Sequence, residues 1–323
     1  MIKKILKILK NILIVILALL IIISIVGQVR KYLEKDDVNP LGTLVEVDGK
    51  KMHVYSEGEG KKTIVLMPGL GSIAPSIDFK PLIKEFKKDF KVVVVEPFGY
   101  GFSEETSKER SVENIVAETR TALKEANIDG PYILMPHSIS GIYAQYYAEV
   151  YPKEVEAIVM MDTTLVKACL EEADKIDLPM GKKLYMEATV GNFLGIDRIY
   201  YNNIYKDEAC FSEEDKNDLV KMGVQNTFNK TIKNEINMIL KNCGTVNKTK
   251  MSKELPILKF IAIRSMKDIP NDKYTNIMNK NLDEFKEYNK FSYSDLEGRH
   301  YIFYTKSKEI GKETRGFLGK YDN

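Results

Sequence analysis

Residues 134–141 carry the residue types of a serine nucleophile. They read Leu-Met-Pro-His-Ser-Ile-Ser-Gly and lie between an apolar strand pattern and a helical pattern. A serine hydroxyl can be presented on a sharp strand-to-helix turn, whose backbone needs small residues two positions before and two positions after the serine. Ser138 has Pro136 and Ser140 at those positions. A nucleophile at Ser140 would instead place Ile142 where a small residue is needed, so Ser138 is the candidate.

The elements that would position this serine alternate between strand and helix patterns. Thr43–Val47 and residues 51–55 alternate in polarity around Asp48-Gly49, which is a hairpin signal. Two antiparallel strands followed by alternating strands and helices predict an α/β fold with a mostly parallel sheet, covered by helices on both faces. We expect this core to comprise residues 36–162 and 255–323. The helical, charged and Tyr-rich residues 163–254 interrupt the alternation and predict an inserted helical cap.

The first 35 residues form a separate segment. Residues 12–26 are apolar except for Ser24, and four lysines precede them. The run is slightly short for a membrane span but is extended by apolar residues on its N-terminal side, and no Ala-x-Ala cleavage site follows it. We therefore expect an uncleaved membrane anchor over residues 1–35, with the lysines in the cytoplasm and the catalytic domain outside. The alternative is a secretory signal peptide that is cleaved to release the protein.

Composition excludes several classes of function. Beyond residue 35 the chain has 41 Lys and Arg against 45 Asp and Glu, a net charge of −4, which disfavours nucleic-acid binding. The three cysteines, Cys169, Cys210 and Cys243, form no Cys-x-x-Cys pair, so zinc-ribbon and iron–sulfur sites are disfavoured. We expect free thiols. Three histidines are too few for a His-rich metal centre, so any histidine catalysis must use one of them.

Three loop motifs resemble those of the α/β-hydrolase superfamily. The Pro-His-Ser-Ile-Ser stretch around Ser138 resembles its Gly-x-Ser-x-Gly elbow, with Pro and Ser replacing the two glycines. Residues 67–72 (Met-Pro-Gly-Leu-Gly-Ser) resemble its oxyanion segment, and residues 96–103 resemble its structural Asp-x-x-Gly-x-Gly-x-Ser turn, with Glu in place of Asp. The resemblance implies that the backbone N–H groups of Leu70 and Ile139 bind the developing oxyanion.

The resemblance also implies which histidine is the base. The family's Gly-x-His follows the last strand, where this chain has Gly298-Arg299-His300. His53 lies in the opening hairpin, which the family places far from the site, so a surface or packing role is expected there. His137 adjoins Ser138, but neighbouring residues of a strand point in opposite directions. His300 is therefore the expected base.

The acid of the triad has more than one candidate. The family's layout places it on the loop after the strand of residues 257–263, where Asp268 lies. Some members take the acid from the end of the preceding strand, where this chain has Asp162. Asp272, four residues beyond Asp268, is a further carboxylate on the same loop. We expect Asp268 to be the acid and keep Asp162 as the alternative.

A Ser138–His300–Asp268 triad implies a serine hydrolase that needs no metal or organic cofactor. Its expected substrate is a small acyl ester, as for a carboxylesterase or lipase. Ser138 disfavours dehalogenase and epoxide-hydrolase chemistry, which uses Asp at this position. An aminopeptidase that releases N-terminal proline is an alternative and would need an acidic cap residue such as Glu171, Glu172 or Asp174. A non-catalytic binding protein on the same fold is the second alternative.

Overall fold

A computed structural model of the chain describes residues 2–171, 186, 188–226, 229–264 and 269–321. These residues form two compact units. The smaller one comprises the described parts of Met1–Asn39 and Pro179–Phe228, and the larger one those of Pro40–Leu178 and Asn229–Asn323.

The described residues of the larger unit form one eight-stranded sheet, in the order β1-β2-β4-β3-β5-β6-β7-β8. The predicted hairpin is present, and β1 and β2 are antiparallel to their neighbours, whereas the six remaining strands are parallel. The predicted α/β class is therefore confirmed. The strands are β1 (Thr43–Val47), β2 (Lys50–Glu57), β3 (Thr63–Met67), β4 (Lys91–Val95), β5 (Tyr132–Pro136), β6 (Val155–Met161), β7 (Ile257–Ile263) and β8 (Phe291–Glu297).

The five strands β3 to β7 are buried on both faces, because successive side chains of these strands enter different cores. Val65 and Leu134 belong to one apolar cluster, and their strand neighbours Ile64 and Ile133 belong to the other. This two-sided burial explains why the parallel strands are continuously apolar in sequence. The helices are α1 (Ile2–Leu33), α2 (Pro75–Asp78), α3 (Lys80–Phe86), α4 (Val112–Glu125), α5 (Ser140–Val150), α6 (Val166–Glu171), α7 (Asp197–Tyr205), α8 (Glu213–Asn226), α9 (Lys230–Val246), α10 (Asn271–Phe285) and α11 (Phe303–Leu318).

Helices α6 and α9 belong to the larger unit, although the sequence places both in the expected cap of residues 163–254. Buried polar contacts tie α9 to this unit: Glu235 accepts hydrogen bonds from the hydroxyls of Tyr100 at 2.8 Å and Tyr143 at 2.7 Å. The two helices meet at the buried side chains of Cys243 and Cys169, whose sulfur atoms are neighbours. Polar contacts of this kind between distant segments leave no signature in a helical pattern.

The smaller unit contains α1, α7 and α8. Helix α1 has 32 residues and, among the described residues, is the one helix long and apolar enough to cross a membrane. At a rise of 1.5 Å per residue it is about 48 Å long, which exceeds the roughly 30 Å of a bilayer's hydrocarbon core. The helix extends beyond the apolar run in both directions, because the flanking lysine-containing turns are also helical.

Candidate active site

Ser138 lies on a sharp turn between β5 and α5. Its φ is +53°, in the left-handed region that a residue with a side chain seldom adopts. Two hydrogen bonds hold the turn: the Ser138 N–H donates to the carbonyl of Met161 at 3.2 Å, and the His137 N–H donates to that of Met67 at 2.9 Å. The neighbouring strands β6 and β3 therefore fix the serine at the carboxyl end of the sheet. This is the geometry of a nucleophile elbow.

Small residues around the turn are required by close approaches. A Cβ at Gly69 would lie 2.6 Å from Nδ1 of His137 and 3.1 Å from Cβ of Ser138, so only glycine lets this loop pass the elbow. The hydroxyl of Ser140 donates to the carbonyl of Pro68 at 2.5 Å. Ser140 thus replaces the usual glycine and also ties α5 to the loop of residues 67–72.

His300 is paired with Asp162. Its Nδ1 lies 2.6 Å from Oδ2 of Asp162, and its side chain is about half exposed. A carboxylate is an acceptor, so Nδ1 donates to Asp162, and in the neutral tautomer with this proton Nε2 is an acceptor. The ring of His300 lies 4.6 Å, centroid to centroid, from the ring of His137, the residue before Ser138. This arrangement places a histidine that is paired with a carboxylate beside the elbow.

Hydrogen bonds to strand β7 fix the position of Asp162. It follows β6 directly, has a φ of +44°, and its N–H donates to the carbonyl of Phe260 at 2.9 Å. Its Oδ1 accepts a hydrogen bond from the N–H of Ala262 at 3.0 Å, which leaves Oδ2 for His300. The expected acid, Asp268, lies outside the described residues. The carboxylate that contacts His300 is therefore the one the sequence offered as the alternative.

The buried Lys259 is a polar group that sequence reasoning missed. Its Nζ donates to Oγ1 of Thr163 at 2.6 Å and to the carbonyl of the same residue at 3.2 Å, directly after Asp162. Burial lowers the pKa of Lys259 to about 8, although the nearby carboxylates of Glu284 and Asp162 act in the opposite direction. The sequence signal for this group is a single lysine inside the otherwise apolar run of β7. It stabilises the turn that presents Asp162.

The backbone N–H groups of Leu70 and Ile139 are the two expected oxyanion donors. Gly71 and Ser72 in the loop after β3 donate their N–H groups to Tyr100 and Gly69. Among the hydrogen bonds of the described residues, the N–H groups of Leu70 and Ile139 donate to none. Ile139 also begins the first turn of α5, where N–H groups point out of the helix and the helix dipole favours negative charge. Both groups are thus available to an oxyanion.

The turn after β4 has a structural role, as the sequence predicts. The carboxylate of Glu96 is buried and accepts hydrogen bonds from the N–H and the hydroxyl of Ser76 and from the N–H of Phe102. His53 is also buried, with Nδ1 3.1 Å from Oε2 of Glu96. The packing role expected for His53 is confirmed. Among the described residues, no cluster of three His, Cys, Asp or Glu side chains could hold a metal ion.

His137 has a different role from His300. It is buried, and because a carbonyl can only accept, its Nε2–H donates to the backbone carbonyl of His300 at 3.0 Å. Burial, together with the nearby His300 ring, lowers the pKa of His137 from 6.5 to about 3. His137 is therefore neutral at physiological pH, and its hydrogen bond positions the loop that carries His300.

This depressed pKa predicts a loss of stability in acid. Below about pH 6.5 the unfolded chain protonates His137 and the folded chain does not, so stability falls with decreasing pH until about pH 3. The contribution is up to about 1.4 kcal/mol per pH unit. We expect the melting temperature of the detergent-solubilised protein to drop more between pH 7.5 and pH 5.0 than that of His137→Asn. Equal drops in both proteins would show that His137 does not titrate in this way.

Comparisons with known proteins agree with this geometry. Residues 62–299 match the family described as alpha/beta hydrolase fold. The chain is 33% identical over 281 residues to the Bacillus subtilis protein YbdG, covering 86% of each chain. It is also 34% identical over 125 residues to the human serine hydrolase BPHL, covering 36% of this chain and 40% of that protein. A Vigna radiata epoxide hydrolase mutant superposes with a TM-score of 0.69 at 16% identity, covering 86% and 98% of the two chains. The chain belongs to the α/β-hydrolase fold family and is a hydrolase.

Proposed function

We propose that this protein is a membrane-anchored serine esterase that acts through Ser138, His300 and Asp162. The observation that carries the proposal is the 2.6 Å contact between Nδ1 of His300 and Asp162, beside a serine on a strained turn. A serine becomes nucleophilic when a neighbouring base accepts its proton and a third group orients that base. The expected acid Asp268 is replaced in this proposal by Asp162.

Each step of the reaction has a residue to perform it. Nε2 of His300 accepts the proton of the Ser138 hydroxyl as Oγ attacks the acyl carbon. The backbone N–H groups of Leu70 and Ile139 stabilise the tetrahedral oxyanion. His300 then gives its proton to the alkoxide leaving group. The alcohol departs, and the acyl group remains bound to Ser138. A water molecule then gives a proton to His300 and attacks the acyl-enzyme. The carboxylic acid is released as His300 returns the proton to Ser138. Asp162 stabilises the imidazolium in both half-reactions.

Two features favour an ester substrate: the nucleophile is a serine, and the described carboxylate that could bind a substrate amine, Glu171, is exposed. A serine forms an acyl-enzyme, whereas the epoxide-hydrolase chemistry considered above uses an aspartate. The aminopeptidase alternative needs a carboxylate that binds the substrate amine. Of its three candidates, Glu171 is exposed, and Glu172 and Asp174 lie outside the described residues. An exposed carboxylate in water binds an amine weakly.

A substrate panel tests the proposed reaction. We expect the purified protein to hydrolyse p-nitrophenyl esters and to leave proline naphthylamide intact, because alcohols and phenols leave more readily than amines and the exposed Glu171 would bind the substrate amine weakly. Ser138→Ala is the matched control for background hydrolysis. Cleavage of the naphthylamide in preference to every ester would favour the aminopeptidase, and no turnover of either class above the control would favour a binding protein.

We further propose that α1 is retained in the mature protein as its anchor. Helix α1 contacts the rest of its unit through residues that precede Gln28: the Ser24 hydroxyl donates to the carbonyl of Phe193 at 2.5 Å, and a Cβ at Gly27 would lie 2.6 Å from Cα of Gly195. A signal peptide that is removed after export has no use for such contacts. The lysines before the apolar run favour a cytoplasmic N-terminus and an outward-facing catalytic domain.

N-terminal sequencing of the membrane fraction tests retention of α1. We expect the mature protein to keep the lysines that precede the apolar run, because no small-residue cleavage site follows it. The protein should also resist extraction by alkaline carbonate. A mature N-terminus near Gln28, with the protein in the soluble fraction, would identify the segment as a signal peptide instead.

A further inference from the structure

Helix α1 and the segment of residues 192–195 are joined by polar contacts near the outer end of the apolar run. The Ser24 hydroxyl donates to the carbonyl of Phe193 at 2.5 Å, and the Gln28 amide donates to that of Asn192 at 2.6 Å. Between them the two backbones touch, because a Cβ at Gly27 would lie 2.6 Å from Cα of Gly195. Small residues that allow close backbone approach are typical of helix contacts at membrane depth.

The position of these contacts along α1 sets their depth. A span needs about 20 residues, so a hydrocarbon core that begins after Lys10 ends near Arg30. At 1.5 Å per residue, Ser24 then lies roughly 9 Å, and Gln28 roughly 3 Å, inside the outer edge of the core. The hydrogen bonds from these two side chains therefore hold Phe193 and its neighbours at the outer boundary of the bilayer.

The residues around this contact expose apolar side chains. Phe193 is 69% exposed, Met186 65% and Ile199 63%, values that are unusual for large hydrophobic side chains of a soluble domain. Residues 188–194 are helical, so Val190 and Phe193, three positions apart, lie on the same face of this short helix. We name this surface the apolar cap face, and it consists of Met186, Val190, Phe193, Ile196, Ile199 and Tyr200.

Polar contacts mark where this surface ends. Lys31 donates to Oδ1 of Asn192 at 3.0 Å, and Glu34 pairs with Arg198. Ion pairs and amide contacts of this kind belong on the aqueous side of a membrane boundary, where water and headgroups solvate charge. The apolar cap face therefore lies on the membrane side of the level at which α1 leaves the bilayer, and the polar contacts lie on the aqueous side.

We infer that the apolar cap face inserts into the outer leaflet beside α1, so that lipid acyl chains cover it. The inference rests on the proposed role of α1 as a membrane anchor. Its support is the continuity of the apolar cap face with the spanning helix, through the hydrogen bonds of Ser24 and Gln28. Burial of Phe193 and Ile199 in lipid removes apolar surface from water, which is favourable in proportion to the area buried. The hydrolase is then held at the membrane by two elements.

The chain contains no tryptophan, so variants with a single tryptophan report on their own positions. The full-length protein is reconstituted in vesicles of phosphatidylcholine and phosphatidylglycerol with brominated acyl chains, which quench tryptophan fluorescence on contact. The test position is Phe193→Trp. Ile16→Trp, in the middle of α1, reports on the anchor. Asn217→Trp, on the exposed surface of α8, is the water-facing control in the same unit.

We expect the tryptophan at position 193 to be quenched as strongly as the one at position 16. Quenching at position 193 should be greatest when the bromine atoms lie near the headgroups. The tryptophan at position 217 should not be quenched. Quenching at position 16 without quenching at position 193 would leave the anchor intact and overturn the inserted cap face. Blue-shifted but unquenched emission at position 193 would also overturn it, because a protein surface such as a second copy would then cover the face. Absence of quenching at position 16 would overturn the anchor, and the inference with it.

Discussion

Ser138→Ala is expected to abolish turnover, with a loss of about 10⁴-fold or more in kcat. The alanine fits the elbow but has no oxygen to attack the acyl carbon, and any remaining rate would come from the oxyanion donors and substrate binding. The measurement is hydrolysis of an activated p-nitrophenyl ester by the variant and by the unaltered protein, at equal concentrations of folded protein. The melting temperature should change little, because the substitution removes a single oxygen atom and leaves the backbone hydrogen bonds of the turn in place.

Ser140→Ala is the matched control for this prediction. It removes the hydroxyl that donates to the carbonyl of Pro68, so the loop of residues 67–72 loses one tether but keeps its backbone donors. We expect a loss of about tenfold or less, which is the scale of one hydrogen bond. If Ser140→Ala were inactive and Ser138→Ala active, the nucleophile would be Ser140 and the assignment of the elbow would be wrong.

The second large effect is expected at Asp162. Asp162→Asn keeps the size of the side chain but presents an amide to Nδ1 of His300, which favours the wrong tautomer and leaves the imidazolium without a counter-charge. We expect a loss of about 10³- to 10⁴-fold in kcat with the same ester. Circular dichroism and the melting temperature should remain close to those of the unaltered protein, because the remaining oxygen can still accept from the N–H of Ala262.

Asp268→Asn is the comparison that decides between the two carboxylates. The family resemblance alone favours Asp268, whereas the contact with His300 favours Asp162. We expect Asp268→Asn to retain near-normal kcat. Collapse of activity in Asp268→Asn, with near-normal activity in Asp162→Asn, would transfer the role to Asp268 and imply that the pairing of His300 with Asp162 is not the catalytic one.

The fold and the sharp turn that carries Ser138 were predictable because they depend on local chemistry. The small residues required around Ser138 are steric demands of one turn, and the apolar runs of the parallel strands follow from burial on both faces. The family resemblance singled out His300 through its place after the last strand, and the structure brings its ring to 4.6 Å from that of His137. In each case a few consecutive residues carry the signal.

The pairing of Asp162 with His300 and the attachment of α6 and α9 to the larger unit depend on long-range placement instead. Asp162 lies 138 positions before His300, and their contact follows from strand order and from the hydrogen bonds of Asp162 to the neighbouring strand β7, which no local pattern encodes. The same holds for the contact of Ser24 with Phe193, 169 positions apart. Lys259 interrupts an apolar run, but only the position of Thr163 explains how its charge is accommodated.

Covalent labelling tests the central claim, that Ser138 is the nucleophile of a serine hydrolase, most directly. The folded full-length protein is treated with a fluorophosphonate probe, and the labelled peptide is identified by mass spectrometry. We expect one adduct, on Ser138, that is absent in Ser138→Ala and forms more slowly in Asp162→Asn, because His300 no longer has its carboxylate partner. Folded protein that forms no adduct, or an adduct on a residue other than Ser138, would contradict the account.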